Sequence, residues 1–224
     1  MDLFTLAAPI FDLAMKMSGH HKVLVELGNK IKKDELQRYS KGNLKQFKLK
    51  QKKFQKTAEQ TNEETAVKLL DLGGGTGELA NFLPQNLEVT VADPSEAMLK
   101  KGKAKDFKQE VKHVLADGAD LPFADNYFDY LTISDALHHF TEVEKALNEA
   151  VRVLKPGGKL YILEFDPGTF FTRVIIFFEK LAGEPVNFFK PEKLAELIGE
   201  NELKTEHQYL NKSLYILSAQ KHPR

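Results

Sequence analysis

The chain has no cysteine. That absence excludes disulfides, zinc–thiolate sites and cysteine nucleophiles together, and it is neutral about compartment. An excess of charge is also lacking. Its 32 Lys and Arg offset 32 Asp and Glu, so the molecule as a whole is not a polyelectrolyte binder. No run reaches the roughly 18 uncharged apolar residues that a spanning helix needs. The opening MDLFTLAAPIFDLAMKMSGHHK is apolar but carries Asp2, Asp12 and Lys16, with no basic stretch ahead of it, so a secretion leader is not expected. Internal repeats and low-complexity tracts are missing too. What is present is 224 residues, 42% apolar and 29% charged, enough for one soluble domain with a sizeable core and room for an appendage.

Three textures follow one another. Residues 1–29 read as an amphipathic helix broken near Gly19. Residues 30–66 begin strongly basic, with eleven Lys/Arg against two acids between Lys30 and Lys56. Within that run Leu36, Ser40, Leu44, Phe47, Gln51 and Phe54 fall near helical spacing, which predicts a helix with a thin apolar stripe. From residue 67, short apolar runs alternate with helical patterns. VKLLDL (67–72), LEVTVAD (87–93), EVKHVLAD (110–117), YFDYLTISD (127–135) and GKLYILEF (158–165) read as strands. Helices are expected over GELANFLPQ, SEAMLKKGKAK and TEVEKALNEAVRVL. LKTEHQYL (203–210) and SLYILSAQ (213–220) are separated only by Asn211-Lys212, and strands that close together pair antiparallel. The expected class is therefore α/β: a doubly wound, seven-stranded, mostly parallel sheet with a terminal antiparallel hairpin and a helical N-terminal extension. The expected division is 1–66 for the extension and 67–224 for the main domain.

Between the first strand and its helix stands LGGGTGE. Such a loop aims backbone N–H groups from a helix start, and glycine lets a ligand approach the chain. No lysine follows Gly77, which excludes a phosphate-cradling P-loop. Glu78 stands where a dinucleotide fingerprint needs its third glycine. The spacing present is Asp71-x-Gly73-x-Gly75-x-Gly77, and a tight turn that binds nothing would use the same glycines. Asp93, at the end of the second strand, can accept both hydroxyls of a ribose laid across the strand ends, or its Asp-Pro step can cap the helix that follows.

These residues resemble the first motifs of the class I S-adenosylmethionine-dependent methyltransferases. LADGADLPFADNYFD (115–129) is similar to that family's adenine-side segment, ISDALHHF (133–140) to the loop beside its sulfonium, and VLKPGGKLYILEF (153–165) to its turn into the fifth strand. The resemblance covers about residues 67–165. It implies a cytoplasmic methyltransferase using S-adenosylmethionine and releasing S-adenosylhomocysteine. The residues it assigns to the cofactor are Asp71, Gly73, Gly74, Gly75, Gly77, Asp93, Pro94, Met98, Asp117, Gly118, Ser134 and Asp135. No metal is expected.

APIFDLAMKMSGHHK (8–22) and LEFDPGTFF (163–171) resemble segments of the ubiquinone/menaquinone-biosynthesis methyltransferases, which implies a small, hydrophobic or aromatic acceptor. A phenolic acceptor needs a general base, and the candidate catalytic residues are His139, His138, His21 and Glu164, with Asp135 a further carboxylate nearby. The chain lacks Asn/Asp-Pro-Pro-Tyr, the signature of amino-group methylation on nucleic acid and protein. The basic run 30–56 keeps an alternative open, an RNA or protein methyltransferase that docks its substrate there. A peripheral membrane contact or a solvated helix are its other uses. TFFTRVIIFFEKLAG (169–183) reads as an apolar helix, with Phe170, Phe171, Val174, Phe177, Phe178 and Leu181 on one face, suited to a buried lid, a hydrophobic substrate or a membrane edge.

Overall fold

The computed structural model describes residues 20–40, 66–199 and 203–223. Most of the N-terminal signature, and the basic run beyond residue 40, lie outside the described residues. Seven strands form one sheet: β1 (Val67–Leu72), β2 (Leu87–Asp93), β3 (Val111–Leu115), β4 (Phe128–Ser134), β5 (Leu154–Phe165), β6 (Leu203–Tyr209) and β7 (Leu214–Lys221). Their spatial order is β3-β2-β1-β4-β5-β7-β6. Strands β1 to β5 pair parallel, while β7 lies antiparallel to both β5 and β6. Asn211 closes the β6–β7 hairpin, its side-chain oxygen accepting from the N–H groups of Ser213 and Leu214. The central strands are buried along nearly their whole length, as a sheet covered on both faces requires.

Helices cover both faces. On one lie α1 (His20–Ser40), a 3-10 turn at Glu78–Phe82, α2 (Glu96–Lys103) and α4 (Phe170–Ala182), joined to the sheet through Leu27, Leu79, Leu99 and Ile175. On the other lie α3 (Val143–Val153) and α5 (Pro191–Ile198), packed through Leu147, Ala150 and Leu194. The strand signals locate all seven strands, with one shift: β5 begins at Leu154, with an irregular register opposite Phe128 and Tyr130. The helix expected over 77–85 shrinks to the 3-10 turn. Pro84 holds Leu83 extended, at φ −81 and ψ 156, and stops the helix there.

Helix α1 differs most from its sequence pattern. It begins directly after Gly19 and runs unbroken into the basic segment. Its buried face is Val23, Leu24, Leu27 and Ile31, while Leu36, expected on an apolar stripe, is exposed. Gly28 is needed here because a Cβ would collide with the backbone carbonyl of Phe82. The helix therefore rests directly on the turn behind the glycine loop. Its second half is held by charge. Glu35 is buried and accepts from the Tyr130 hydroxyl at 3.0 Å, and Arg38 donates to Asp129 at 2.7 Å. Burial opposes charge on Asp129, but Lys155, the Lys68 N–H and Arg38 hold its carboxyl below the usual range. So part of the basic run serves the fold: Arg38 pairs with Asp129, and Lys30 lies 3.6 Å from Glu206.

Helix α4 also packs differently from its pattern. It buries Thr172, Ile175 and Glu179, and leaves Phe170, Val174, Phe177 and Leu181 exposed. Among the described residues no helix is long and apolar enough to cross a membrane.

If α1 is part of the core, Leu27→Ala should destabilise the protein by about 2–5 kcal/mol. Urea unfolding followed by circular dichroism measures this. A loss below about 0.5 kcal/mol, the usual size of a surface change, would contradict it.

Candidate active site

Strand order reverses beside β1, which pairs with β2 on one flank and β4 on the other. The loops after β1 and β4 therefore diverge and leave a crevice at the carboxyl ends of the strands. Gly73, Gly75 and Gly77 adopt φ of 70°, 55° and 75°, values that other residues rarely take. Beneath them Asp71 is fully buried, and the Thr132 hydroxyl donates to it at 2.8 Å. Burial, against that hydrogen bond and with help from Asp93, pushes its carboxyl up to about 7. Gly74 leaves no room for a side chain, since a Cβ would lie 2.5 Å from Asp71 Oδ2. Gly75 faces the other way. Its Cβ would meet only Asp93 Oδ2, at 4.0 Å, so the loop is open on that side.

Asp93 ties two loops together. Its Oδ2 accepts the Gly75 N–H and its Oδ1 the Ser95 N–H, both at 2.8 Å. Ser95, after Pro94, caps α2 by accepting the Met98 N–H. Met98 is exposed, as is Leu115, the register partner of Asp93 on β3. Lys105 secures the far end of the glycine loop, donating to Thr76 Oγ1 and to Glu78, each at 2.7 Å. After β3, Asp117 is exposed and accepts the Ala119 N–H. A Cβ on Gly118 would lie 3.1 Å from the Phe140 ring, and one on Gly73 would lie 3.2 Å from it. Phe140 thus walls the loops after β1 and β3 together. At the end of β4 the Ser134 hydroxyl is buried with no hydrogen-bond partner, and Asp135 turns the chain sharply at φ 54°.

The sequence candidates for catalysis separate here. His138 is buried, and Glu164 accepts from its Nδ1 at 3.0 and 2.9 Å through the two carboxylate oxygens. Glu164 also takes the Phe165 N–H at 2.7 Å. The His138 ring stacks on Phe188 at 4.3 Å, and its Nε2 lies 3.6 Å from Glu179 Oε1. Burial works against charge on His138, yet Glu164, Asp135 and Glu179 push it up to about 9. Burial and the neighbouring His138 push His139 down to about 4. Burial raises Glu179 to about 7, against the pull of His138. His21 is remote from this group; it is exposed on α1, edge-on to Phe82. Glu179 carried no motif. Its one signal was a carboxylate inside an apolar helical run. Lys105 and Thr132 gave no signal, and Phe140 closed the ISDALHHF segment without a role of its own, because these roles depend on contacts with other loops.

The methyltransferase domain family matches residues 70–162. Residues 70–162 are thus similar to a methyltransferase domain, and the chain shares the fold of an S-adenosylmethionine-dependent methyltransferase. It is 46% identical over 107 residues to the ubiquinone/menaquinone biosynthesis C-methyltransferase UbiE of Yersinia enterocolitica, a stretch that is 44% of this chain and 43% of that protein. The UbiE of Photorhabdus laumondii is 45% identical over 111 residues, 46% of this chain and 44% of its own. The chain therefore matches less than half the length of these curated relatives. Among solved structures it is similar to a Thermotoga maritima S-adenosylmethionine-dependent methyltransferase, a possible histamine N-methyltransferase, with TM-score 0.58, 22% identity and coverage of 69% and 82%. It is also similar to the [4+2]-cyclase SpnF, with TM-score 0.59, 19% identity and coverage of 71% and 76%. A cyclase on this fold shows that architecture alone does not fix the chemistry.

Asp71 gives a pH signature. Its folded carboxyl keeps a proton up to about 7, whereas the unfolded one loses it near 3.8. Between those values the folded state holds the extra proton, so stability falls as pH rises, by at most about 1.4 kcal/mol per pH unit. Chemical denaturation from pH 4 to 7 should show this fall, and Asp71→Asn should make it shallower, the remainder coming from Glu179, which burial also raises. An unchanged slope in the variant would refute the assignment.

Proposed function

We propose that this chain transfers the methyl group of S-adenosylmethionine to a small hydrophobic or aromatic acceptor. The observation that carries the reading is the doubly tied Asp93, set against the open face of Gly75 at the strand-order reversal. S-adenosylmethionine supplies a methyl group already activated on its sulfonium. The residues present fit it. Both Asp93 oxygens keep a further lone pair for ribose hydroxyls. Met98 and Leu115 offer apolar surface beside Asp93 for a base. Asp117 and Gly118 would take its polar edge, with the Phe140 ring behind Gly118. Ser134, whose buried hydroxyl lacks a partner, and the N–H groups of the glycine loop would receive the amino-acid end, while Gly74 and Asp135 shape the two loops.

Methyl displacement needs the acceptor atom, the methyl and the sulfur in line, and it gains most from alignment and from exclusion of water. The acceptor would lie over the ends of β4 and β5, against the His138–His139 turn. His138 is buried, with Nδ1 engaged by Glu164 and Nε2 turned inward toward Glu179, and Glu164 is occupied by His138 and Phe165. His139, the exposed member of the cluster, is the side chain an acceptor can reach. The UbiE relatives are named for C-methylation in quinone biosynthesis, which supports an aromatic ring carbon activated by a neighbouring hydroxyl. We read residues 67–224 as the catalytic unit and 1–66 as an extension whose α1 braces the cofactor loop from behind.

Calorimetric titration with S-adenosylhomocysteine tests the reading. One equivalent should bind, and Asp93→Ala should weaken it by about 10- to 150-fold, the range for hydrogen bonds to a charged group. No heat with the wild-type protein would sink the proposal. Methyl transfer from labelled S-adenosylmethionine to hydroxylated aromatic compounds then tests the acceptor class.

A further inference from the structure

We propose that His138, His139 and Glu179 form a binding site for a divalent first-row transition-metal ion, of the zinc and cobalt class. No metal is expected from the residues in order, and the site emerges only where α4 meets the loop after β4. Each of the three side chains offers one ligand atom, and these atoms lie within 4.8 Å of one another. Two imidazoles and a carboxylate suit zinc, cobalt and iron better than magnesium or calcium.

Glu179 is the independent observation. It is 5% exposed, and neither carboxylate oxygen accepts a hydrogen bond. A buried carboxylate without hydrogen bonds is costly, and its one charged neighbour, His138, stands beyond hydrogen-bond reach; native proteins pair such groups closely or give them a metal. Its Oε1 stands 3.6 Å from His138 Nε2. That is too far for a hydrogen bond. Metal bonds of about 2.0–2.2 Å to nitrogen and oxygen at tetrahedral angles separate neighbouring ligand atoms by about 3.3–3.5 Å, close to the distance seen.

The surroundings agree. Glu164, fully buried, accepts from His138 Nδ1 and turns Nε2 toward Glu179. A carboxylate behind a ligating histidine is the usual outer support of such sites. Glu164 and Glu179 bring two carboxylates into one buried place, and a divalent ion balances both. A second grouping, Asp135, His138 and Glu164, is within the same spacing, but the Glu164 hydrogen bond already occupies the Nδ1 side of His138. His139 has a side chain 39% exposed, so the site opens to solvent and leaves a coordination position for an outside oxygen. This extension rests on the methyltransferase reading: the ion would take a hydroxyl oxygen of the acceptor and lower its pKa.

The test uses the whole chain, stripped of metal by a chelator and then titrated with Co2+ and with Zn2+. Co2+ should develop the visible absorption of a four- or five-coordinate site at one ion per chain. Zn2+ calorimetry should give the same stoichiometry. Glu179→Gln and His139→Gln should each weaken Zn2+ binding by about 100-fold or more, and Glu164→Gln by about 10- to 100-fold. A Co2+ spectrum identical to the free ion's would overturn the site, as would unaltered Zn2+ binding by Glu179→Gln. The wild-type spectrum decides even where a variant fails to fold. S-adenosylhomocysteine titration of the same wild-type sample separates the two readings: if it binds while Co2+ does not, the metal site alone fails.

Discussion

Parallel pairing of β1 with β2 on one side and β4 on the other sends the chain in opposite directions at the same end of the sheet. The crevice between the diverging loops follows from that hydrogen-bond pattern, and no single side chain creates it. The Asp93 carboxylate then joins the loops after β1 and β2 by accepting one N–H from each. The Phe140 ring, carried by the loop after β4, walls in Gly73 and Gly118. Four loops, those after β1, β2, β3 and β4, are thereby fixed around one space, and groups on rigid strand ends can be held closely there.

Buried charge is distributed to the two ends of the sheet, and each group is kept by partners on other elements. At the far end Asp129 receives Arg38, Lys155 and the Lys68 N–H, which fastens α1 across the starts of β1, β4 and β5. At the site end His138 stands between Glu164 and Glu179, which connects β5 and α4 to the turn after β4. Buried ions contribute little net stability, but removing one partner strands the other, so both groups specify geometry more than they stabilise it. The Glu179 side differs from the rest because its carboxylate lacks hydrogen bonds.

Much of the fold was legible in the sequence because the relevant forces are local or periodic. VKLLDL read as a buried strand, LEVTVAD and YFDYLTISD as further strands in the alternation, and Asn211-Lys212 left too little chain for anything but a hairpin. The glycine run announced a tight strand exit with room for a ligand. Periodicity failed where neighbours decided the outcome. TFFTRVIIFFEKLAG put Phe170, Val174, Phe177 and Leu181 on one apolar face, yet the packing turned Thr172, Ile175 and Glu179 inward and left that face out. The stripe through Leu36 was a weak helical signal, and α1 turned the face of Val23, Leu27 and Ile31 to the core instead. The turn after the glycine loop lost its helix to Pro84, a local effect that the apolar pattern masked.

Read without the structure, the chain already sets the succession of strands and helices, the backbone freedom at Gly73, Gly75 and Gly77, and the acids at successive strand ends. These depend on residue type and on spacing of a few positions. Long-range packing alone settles that Gly28 must lack a side chain against Phe82, that Arg38 belongs to Asp129, and that of two adjacent histidines His138 is buried on Glu164 while His139 opens outward. It also brought Glu179 within 3.6 Å of His138. Each of these pairs residues that are distant along the chain, and their environment exists only once the sheet has been covered on both faces.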